Sequence, residues 1–182
     1  IHGNPSIFPL GLTNESYYCY LNSVLQLLLS LEKFVYYFKN CKPNENQKFT
    51  KSISSLVNCH TFGNQVYNAK KIKELSSSKF SSFLQHDSFE LLQFLFLGIK
   101  DENMNISSQE NSESLKKSLH TVKTANEAWD LYYKVNFTII DYLFGGIFET
   151  LVSCSKCYFS SKTFDPFLDI SLPIPQKKTT KA

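Results

Sequence analysis

The hydrophobic residues of the first 144 positions recur mostly at three- and four-residue steps. From Tyr18 this spacing predicts one long helical segment, residues 18–38, that begins at or beside Cys19. The same period predicts a shorter helix over residues 49–57 and amphipathic helices over residues 87–99 and 125–135. A Pro-containing segment at 40–47 and a Ser-rich segment at 76–82 are expected to be connectors.

The pattern changes after Gly145 and Gly146. Residues 147–153 alternate between two faces and are rich in β-branched and aromatic types, and residues 158–164 continue that composition. These two runs predict a hairpin with Cys154-Ser-Lys-Cys157 at its tip. Strict alternation over residues 168–174 predicts one further strand. Helices followed by strands indicate the α+β class.

The segment 101–114 is rich in Asn, Ser and Glu and has almost no apolar residue, so we expect a mobile insertion there. We divide the chain into a helical part, residues 1–144, and a β part, residues 145–182. The 182 residues, 42% of them hydrophobic, suffice for a globular core. No run approaches the roughly 18 apolar residues of a membrane span, and no targeting segment is visible, so we expect a soluble protein.

Charge and cysteine usage narrow the function classes. The chain has 19 Lys, no Arg and 16 acidic residues, a net charge of +3, so nucleic acid is not an expected partner. Neither is a membrane. Five cysteines, an odd number without regular spacing, argue against a disulfide framework and favour a reducing compartment.

The polar loop before Cys19 runs directly into the first turn of the predicted helix. A thiol at a helix N-terminus feels about half a positive charge from the macrodipole, which favours the thiolate. The loop can present backbone N–H groups and the Asn14 amide to an oxyanion formed on an attacked carbonyl. Position alone leaves open the alternative that Cys19 is a small buried residue.

This segment resembles the cysteine box of the ubiquitin-specific proteases, the ubiquitin carboxyl-terminal hydrolase family. The matching residues are Gly11, Leu12, Asn14, Cys19, Tyr20, Asn22, Ser23, Leu25 and Gln26. The resemblance implies that Cys19 is the nucleophile and that Asn14 donates a hydrogen bond to the oxyanion.

A second motif, Gln85-His86-Asp87-Ser88-Phe89-Glu90, stands at the start of the helix predicted over residues 87–99. Asp87 and Glu90 lie one turn apart, so both carboxylates can project from the same helix end toward a basic, extended peptide. The motif is similar to an acidic box of the same family, which implies that Gln85, Asp87 and Glu90 bind the ubiquitin C-terminal tail. An ordinary capping box is the alternative.

Cys154 and Cys157 supply two thiolates at the spacing of a tetrahedral zinc site, which needs four ligands. Redox chemistry is less favoured, because a thioredoxin-like pair precedes a helix and strand-like residues flank this one. Residues 125–175 are similar to the family's stretch leading into its β fingers. In that family a second Cys pair lies further on, so the resemblance implies structural zinc only where another segment supplies that pair; otherwise no cofactor is required.

The resemblance covers the N-terminal half of the family's catalytic domain. It implies a papain-like cysteine protease fold, with residues 1–144 as the helical thumb and residues 145–182 as the start of the fingers. The palm and the His box would lie in a C-terminal half that completes the enzyme. The implied activity is hydrolysis after the C-terminal Gly of ubiquitin or polyubiquitin conjugates, in the cytoplasm or nucleus.

Several residues depart from the family's pattern. Ser16 replaces a Gly, and Tyr18 replaces a small hydroxyl residue; Tyr17 and Tyr18 either occlude the channel or pack outward. None of the four His residues has the context of a His box, and His86 and His120 are expected at the surface or at helix ends. The alternative function is a non-catalytic module that binds ubiquitin or a partner. A papain-like hydrolase of another substrate leaves residues 85–92 unexplained.

Overall fold

A computed structural model describes residues 10–15, 17–62, 66–81, 84–104, 118–119, 121–136 and 138–175. Within these ranges the chain is α+β, with seven helices and two strands. They are α1 (Cys19–Leu29), α2 (Glu32–Asn40), α3 (Lys48–Phe62), α4 (Lys70–Leu75), α5 (Ser88–Asn103), α6 (Ala125–Asn136), α7 (Ile139–Phe144), β1 (Gly146–Ser153) and β2 (Ser160–Phe167). None of the described helices has the length and apolar character needed to cross a membrane.

The chain forms two compact units. Unit 1 comprises residues 1–106 and 138–143, and unit 2 comprises residues 107–137 and 144–182. Helix α6 therefore belongs with the two strands, while most of α7 belongs with the other helices. The division at residue 144 into thumb and fingers stays a prediction.

The core of unit 1 is built from the apolar faces of four helices. Helix α1 packs against α2 and α5, and α3 packs against α2 and α5. Each helix contributes side chains that are almost completely buried, and each such side chain stabilises the fold by roughly 1.5–3 kcal/mol. These residues are Leu21, Leu25 and Leu28 of α1, Phe34 and Phe38 of α2, Ile53, Leu56 and Val57 of α3, and Leu91, Leu95 and Ile99 of α5.

The prediction of one helical segment over residues 18–38 is wrong. The segment breaks at Ser30 and Leu31, where Leu31 is extended and the Ser30 hydroxyl donates to the Leu27 carbonyl at 2.6 Å. A Ser side chain that bonds the preceding turn competes with helix continuation. The break reorients the chain so that Phe34 and Phe38 enter the core. The short helix α4 is absent from the sequence-based prediction.

Helix α5 also differs from its predicted range, because it continues to Asn103. The start of the expected insertion at residue 101 is therefore wrong, while residues 105–114 lie outside the described residues. The extension is stabilised by Glu102, whose carboxylate accepts from Phe49 N at 2.7 Å and from Thr50 N at 2.9 Å. A carboxylate at this position satisfies free N–H groups in the first turn of α3 and complements its dipole.

Close contact between α3 and α5 requires a residue without a side chain at Gly98. A Cβ there would lie 2.8 Å from the Phe49 ring. Near the same end of α5, Lys100 Nζ forms a 2.5 Å ion pair with Asp141, which is fully buried and also accepts from the Thr138 hydroxyl. Ion pairing thus fastens the start of α7 within unit 1.

In unit 2, β1 and β2 form an antiparallel hairpin in which Gly146 pairs with Phe167 and Ser153 with Ser160. The predicted hairpin, with the two cysteines at its tip, is confirmed. Helix α6 packs against both strands. Their shared core consists of Leu119, Ala128, Tyr132 and Phe164.

The further strand predicted over residues 168–174 is wrong. Residues 168–175 have no regular structure, and Leu172 and Ile174 are among the most exposed apolar side chains described. Alternation indicates a strand only where a neighbouring strand accepts its hydrogen bonds, and Pro173 has no N–H to donate. In the described residues the sheet has only two strands.

Candidate active site

Polar side chains of α1 hold the loop that precedes it. Asn22 Nδ2 donates to the Thr13 carbonyl at 3.1 Å, and Gln26 Nε2 donates to the Leu10 carbonyl at 2.6 Å. Residues 22 and 26 are four apart and share one face of the helix, so they bind successive parts of the loop. These two residues of the cysteine box therefore fix the backbone that leads to Cys19.

The other side of this loop pairs with the segment before α4. Tyr67 N donates to the Gly11 carbonyl at 2.8 Å, and Thr13 N donates to the Tyr67 carbonyl at 3.1 Å, which makes a short parallel bridge. The next residue contributes a side-chain bond, from Asn68 Nδ2 to Glu15 Oε1 at 2.6 Å. Hydrogen bonds from two directions thus restrain the loop, as a preorganised site requires.

Asn14 hydrogen-bonds Tyr18, the N-cap residue of α1. Its Oδ1 accepts from the backbone N–H of Tyr18 at 3.1 Å. This bond turns the side-chain oxygen toward the helix and leaves the amide NH2 group as the end that can donate to a ligand. The role of Asn14 at an oxyanion stays a prediction, and this orientation is compatible with it.

Cys19 is the first residue of α1, as predicted, and its side chain is exposed. The alternative of a small buried residue is wrong. Exposure leaves the thiol accessible to a substrate carbonyl, and the N-terminal position places it at the positive end of the helix dipole.

The two tyrosines before Cys19 point in different directions. Tyr18 is buried, whereas Tyr17 is 54% exposed. Tyr17 also has φ = 46°, in the left-handed region that bulky residues rarely adopt. Tyr18 therefore belongs to the core, and only Tyr17 presents a ring to solvent beside the thiol; Ser16 lies outside the described residues.

Asp87 and Glu90 of the acidic box both have partners within the chain. Asp87 is the N-cap of α5, and its Oδ1 accepts from Phe89 N at 2.7 Å and from Glu90 N at 3.0 Å. Glu90 forms an exposed 2.9 Å ion pair with Lys79. The capping alternative is thus confirmed for Asp87, whose other oxygen can still accept a bond. Gln85 is exposed beside it, and tail binding by these three residues stays a prediction.

The structure brings the cysteine box and the acidic box together. The ring of Tyr20, next to Cys19, meets the ring of His86, next to Asp87, at a centroid distance of 5.2 Å. Lys73 is 2% exposed, and its Nζ lies 5.9 Å from the centroid of the Tyr20 ring. Sequence reasoning missed Lys73, because nothing in its local sequence separates it from the exposed lysines of the same helix.

The histidines do not supply a base to the thiol in the described part of the chain. His86 lies two residues before α5, near a helix end as expected, and its Nε2 is 3.0 Å from the Ser81 carbonyl. His60 is buried in α3, neither of its ring nitrogens is hydrogen-bonded to a described residue, and burial lowers its pKa. His2 and His120 lie outside the described residues.

Cys154 and Cys157 are exposed at the hairpin tip. The turn is closed by Cys154 N, which donates to Phe159 O at 2.8 Å, and Tyr158 adopts φ = 58°. Hydrogen bonds from the backbone N–H groups of Cys157 and Lys156 lower the pKa of the Cys154 thiol. Both thiols suit a metal, but within the described ranges no cluster of three or more His, Cys, Asp or Glu residues is present, so half a site is all they form.

Comparison with known proteins adds a family context. The family described as ubiquitin carboxyl-terminal hydrolase matches residues 10–170. Ubiquitin carboxyl-terminal hydrolase 1 of Arabidopsis thaliana is 33% identical, over 92% of this chain and 15% of that protein. Human ubiquitin carboxyl-terminal hydrolase 15 is 30% identical (92% and 19%), and the probable ubiquitin carboxyl-terminal hydrolase 1 of Schizosaccharomyces pombe is 26% identical (94% and 22%). The chain spans about a fifth of the length of these relatives.

Proposed function

Because the chain belongs to the ubiquitin carboxyl-terminal hydrolase family, whose fold is papain-like, we propose that Cys19 is the nucleophile of a deubiquitinating thiol hydrolase. The bond to be cleaved follows the C-terminal glycine of ubiquitin. One observation carries the proposal: an exposed thiol stands at the first residue of α1, directly after a loop that is hydrogen-bonded from two sides.

The reaction follows from these groups. The Cys19 thiolate attacks the glycine carbonyl and forms a tetrahedral oxyanion, to which the Asn14 NH2 group donates. Collapse breaks the C–N bond, and the leaving amine takes the proton that the general base removed from the thiol. Water then attacks the thioester, releasing the ubiquitin carboxylate and regenerating the thiol.

We propose that the general base comes from the C-terminal half of the catalytic domain. The N-terminal half, to which Cys19 belongs, requires that half as its partner. In support, neither described histidine hydrogen-bonds the Cys19 thiol. A base is needed both to deprotonate the thiol and to activate water in the second step.

We propose that the acidic box binds the basic C-terminal tail of ubiquitin. In support, Asp87 and Gln85 are exposed, and the Glu90–Lys79 pair is open to solvent on both sides, so a basic peptide can compete for the carboxylate. Exposed ion pairs contribute only about 0–1 kcal/mol, so little free energy is lost when a basic residue of the tail replaces Lys79 as the partner of Glu90.

A structural zinc ion is proposed for the hairpin tip, held by Cys154, Cys157 and a second Cys pair from another segment. The hydrogen bonds that lower the Cys154 pKa favour the thiolate that zinc needs. Zinc would order the hairpin and takes no part in the reaction. The test is the zinc content of the purified full-length protein, which should fall in Cys154→Ser; equal zinc in both proteins contradicts the assignment.

A reducing compartment, the cytoplasm or nucleus, is proposed as the location. In support, all five cysteines are free thiols.

The experiment for the proposed function uses ubiquitin with a thiol-reactive C-terminal group and the full-length protein. Wild type should be labelled, and Cys19→Ala should not. Cys41→Ala is the matched control, because Cys41 is a half-buried thiol at the end of α2 and should not affect labelling. Labelling that persists in Cys19→Ala contradicts the proposal. An unlabelled wild type that still binds ubiquitin favours the non-catalytic module, with the exposed ring of Tyr17 as the first obstacle to remove.

A further inference from the structure

Lys73 is a buried cation in unit 1. It lies in α4, is 2% exposed, and its ammonium group donates to the carbonyl of Phe80. Among the described residues no carboxylate pairs with it: the ion pairs there involve Lys51, Lys79, Lys100 and Lys162. Burial lowers the pKa of Lys73, as expected for an ammonium group removed from water.

One aromatic ring, that of Tyr20, faces this ammonium group, and two further rings pack against it. Lys73 Nζ lies 5.9 Å from the centroid of the Tyr20 ring, and Phe80 stacks on Tyr20 at 6.2 Å. The His86 ring stands edge-on to both, at 5.2 Å from Tyr20 and 5.3 Å from Phe80. Lys73, Tyr20, Phe80 and His86 form what we call the lysine cluster.

Burial of the Lys73 ammonium group costs free energy that a space-filling role alone does not require. A methionine would occupy nearly the same volume without the cost of burying a charge. Unlike a methionine side chain, the ammonium group binds two partners in a fixed arrangement: the Phe80 carbonyl and the face of the Tyr20 ring. Among the described residues the Tyr20 hydroxyl has no hydrogen-bond partner, so the contacts that hold Tyr20 there are those of its ring.

The two ends of the lysine cluster belong to different boxes. Tyr20 follows Cys19 in the first turn of α1, and His86 precedes Asp87, the N-cap of α5. We propose that Lys73 is a positioning residue that sets the placement of the Cys19 nucleophile relative to the carboxylates of Asp87 and Glu90. This inference rests on the proposed function.

Its test compares two probes of Cys19 in the full-length protein. Iodoacetamide needs only an exposed thiol, whereas the ubiquitin probe also needs the thiol to be correctly placed relative to the acidic box. In Lys73→Met, labelling by the ubiquitin probe should fall about tenfold to a hundredfold. Alkylation of Cys19 by iodoacetamide, followed by peptide mass spectrometry, should stay within about twofold of wild type, as expected for an intact helix N-terminus.

Two further variants separate positioning from loss of fold. Lys71→Met removes an exposed lysine of the same helix and should leave both rates unchanged. Lys73→Arg keeps a cation that can bond a carbonyl and stack on a ring, and it should restore labelling to within about threefold of wild type. Unchanged labelling in Lys73→Met, or no recovery in Lys73→Arg, overturns the inference.

Amide hydrogen exchange tests the inference without relying on activity. In Lys73→Met, exchange should become faster in residues 20–22 and 88–91 and stay unchanged in α2, since only the first two segments adjoin the lysine cluster. Unchanged exchange at both segments overturns the positioning role. An unlabelled wild type contradicts the proposed function, and hydrogen exchange then decides the role of Lys73 by itself.

Discussion

The two ends of the Asn14 side chain have separate tasks, which allows them to be tested separately. The oxygen accepts from the N–H of Tyr18, the N-cap residue of α1, while the NH2 group is the proposed oxyanion donor. Asn14→Asp keeps the shape and the acceptor but removes the donor. Asn14→Ala removes both.

The expected sizes of the two effects differ. Loss of one oxyanion donor reduces kcat by about 10²–10³, which corresponds to about 2.7–4 kcal/mol of transition-state stabilisation. Loss of the hydrogen bond to the Tyr18 N–H costs about 1 kcal/mol of folding free energy. Asn14→Asp should therefore be nearly inactive with wild-type stability, because its carboxylate also suits the positive end of α1. Asn14→Ala should be equally inactive and about 1 kcal/mol less stable.

The assay is hydrolysis of a fluorogenic C-terminal amide of ubiquitin by the full-length protein, combined with urea denaturation. Asn46→Asp is the matched control, because it makes the same change at an exposed turn between α2 and α3. A kcat within threefold of wild type for Asn14→Asp would refute the oxyanion role. Equal stability of Asn14→Ala and wild type would refute a stabilising role for the Asn14–Tyr18 hydrogen bond.

Three further predictions concern stability. Tyr17→Gly should raise the free energy of unfolding by up to about 1 kcal/mol in urea denaturation, because it relieves a left-handed backbone at an exposed site; a loss of stability contradicts this. Asp141→Leu should cost about 3–5 kcal/mol by leaving Lys100 without its carboxylate, and the double variant with Lys100→Met should recover most of that loss; equal losses in both contradict a dominant ion pair. Burial lowers the pKa of His60 below its usual 6.5, so the unfolded chain binds this proton more readily: the contribution of His60 to stability should be constant well above pH 6.5 and fall as the pH drops through that value. His60→Leu should reduce this slope, and an unchanged slope would assign it to other groups.

The sequence pattern correctly predicted the helices and strands that are determined by residues close to one another along the chain. The apolar period of α1, α5 and α6 reflects one buried face for each helix, and the alternation of β1 and β2 reflects the hairpin between them. The predicted strand over residues 168–174 failed because its outcome depends on a neighbouring strand. The extension of α5 was missed because its cause, the contact of Glu102 with α3, spans 52 residues.

The candidate site could be predicted only in part. Cys19 and Asn14 were found through the resemblance, and helix position alone left the thiol undecided between a nucleophile and a buried residue. Asp87 could be predicted as a cap from its place before an apolar helical run. The burial of Lys73 could not be predicted, because Lys70 and Lys71 precede it in the same helix and only tertiary packing distinguishes them.

Glu102 also bears on the order in which the chain folds. The first turn of α3 is completed by a carboxylate that is synthesised 52 residues after Thr50. At about 5–20 residues per second, the ribosome makes Glu102 about 3–10 s after Thr50. During that interval α3 lacks two of its hydrogen-bond acceptors and the α5 surface against which it packs. Helix α3 should therefore become stable only when the end of α5 has emerged.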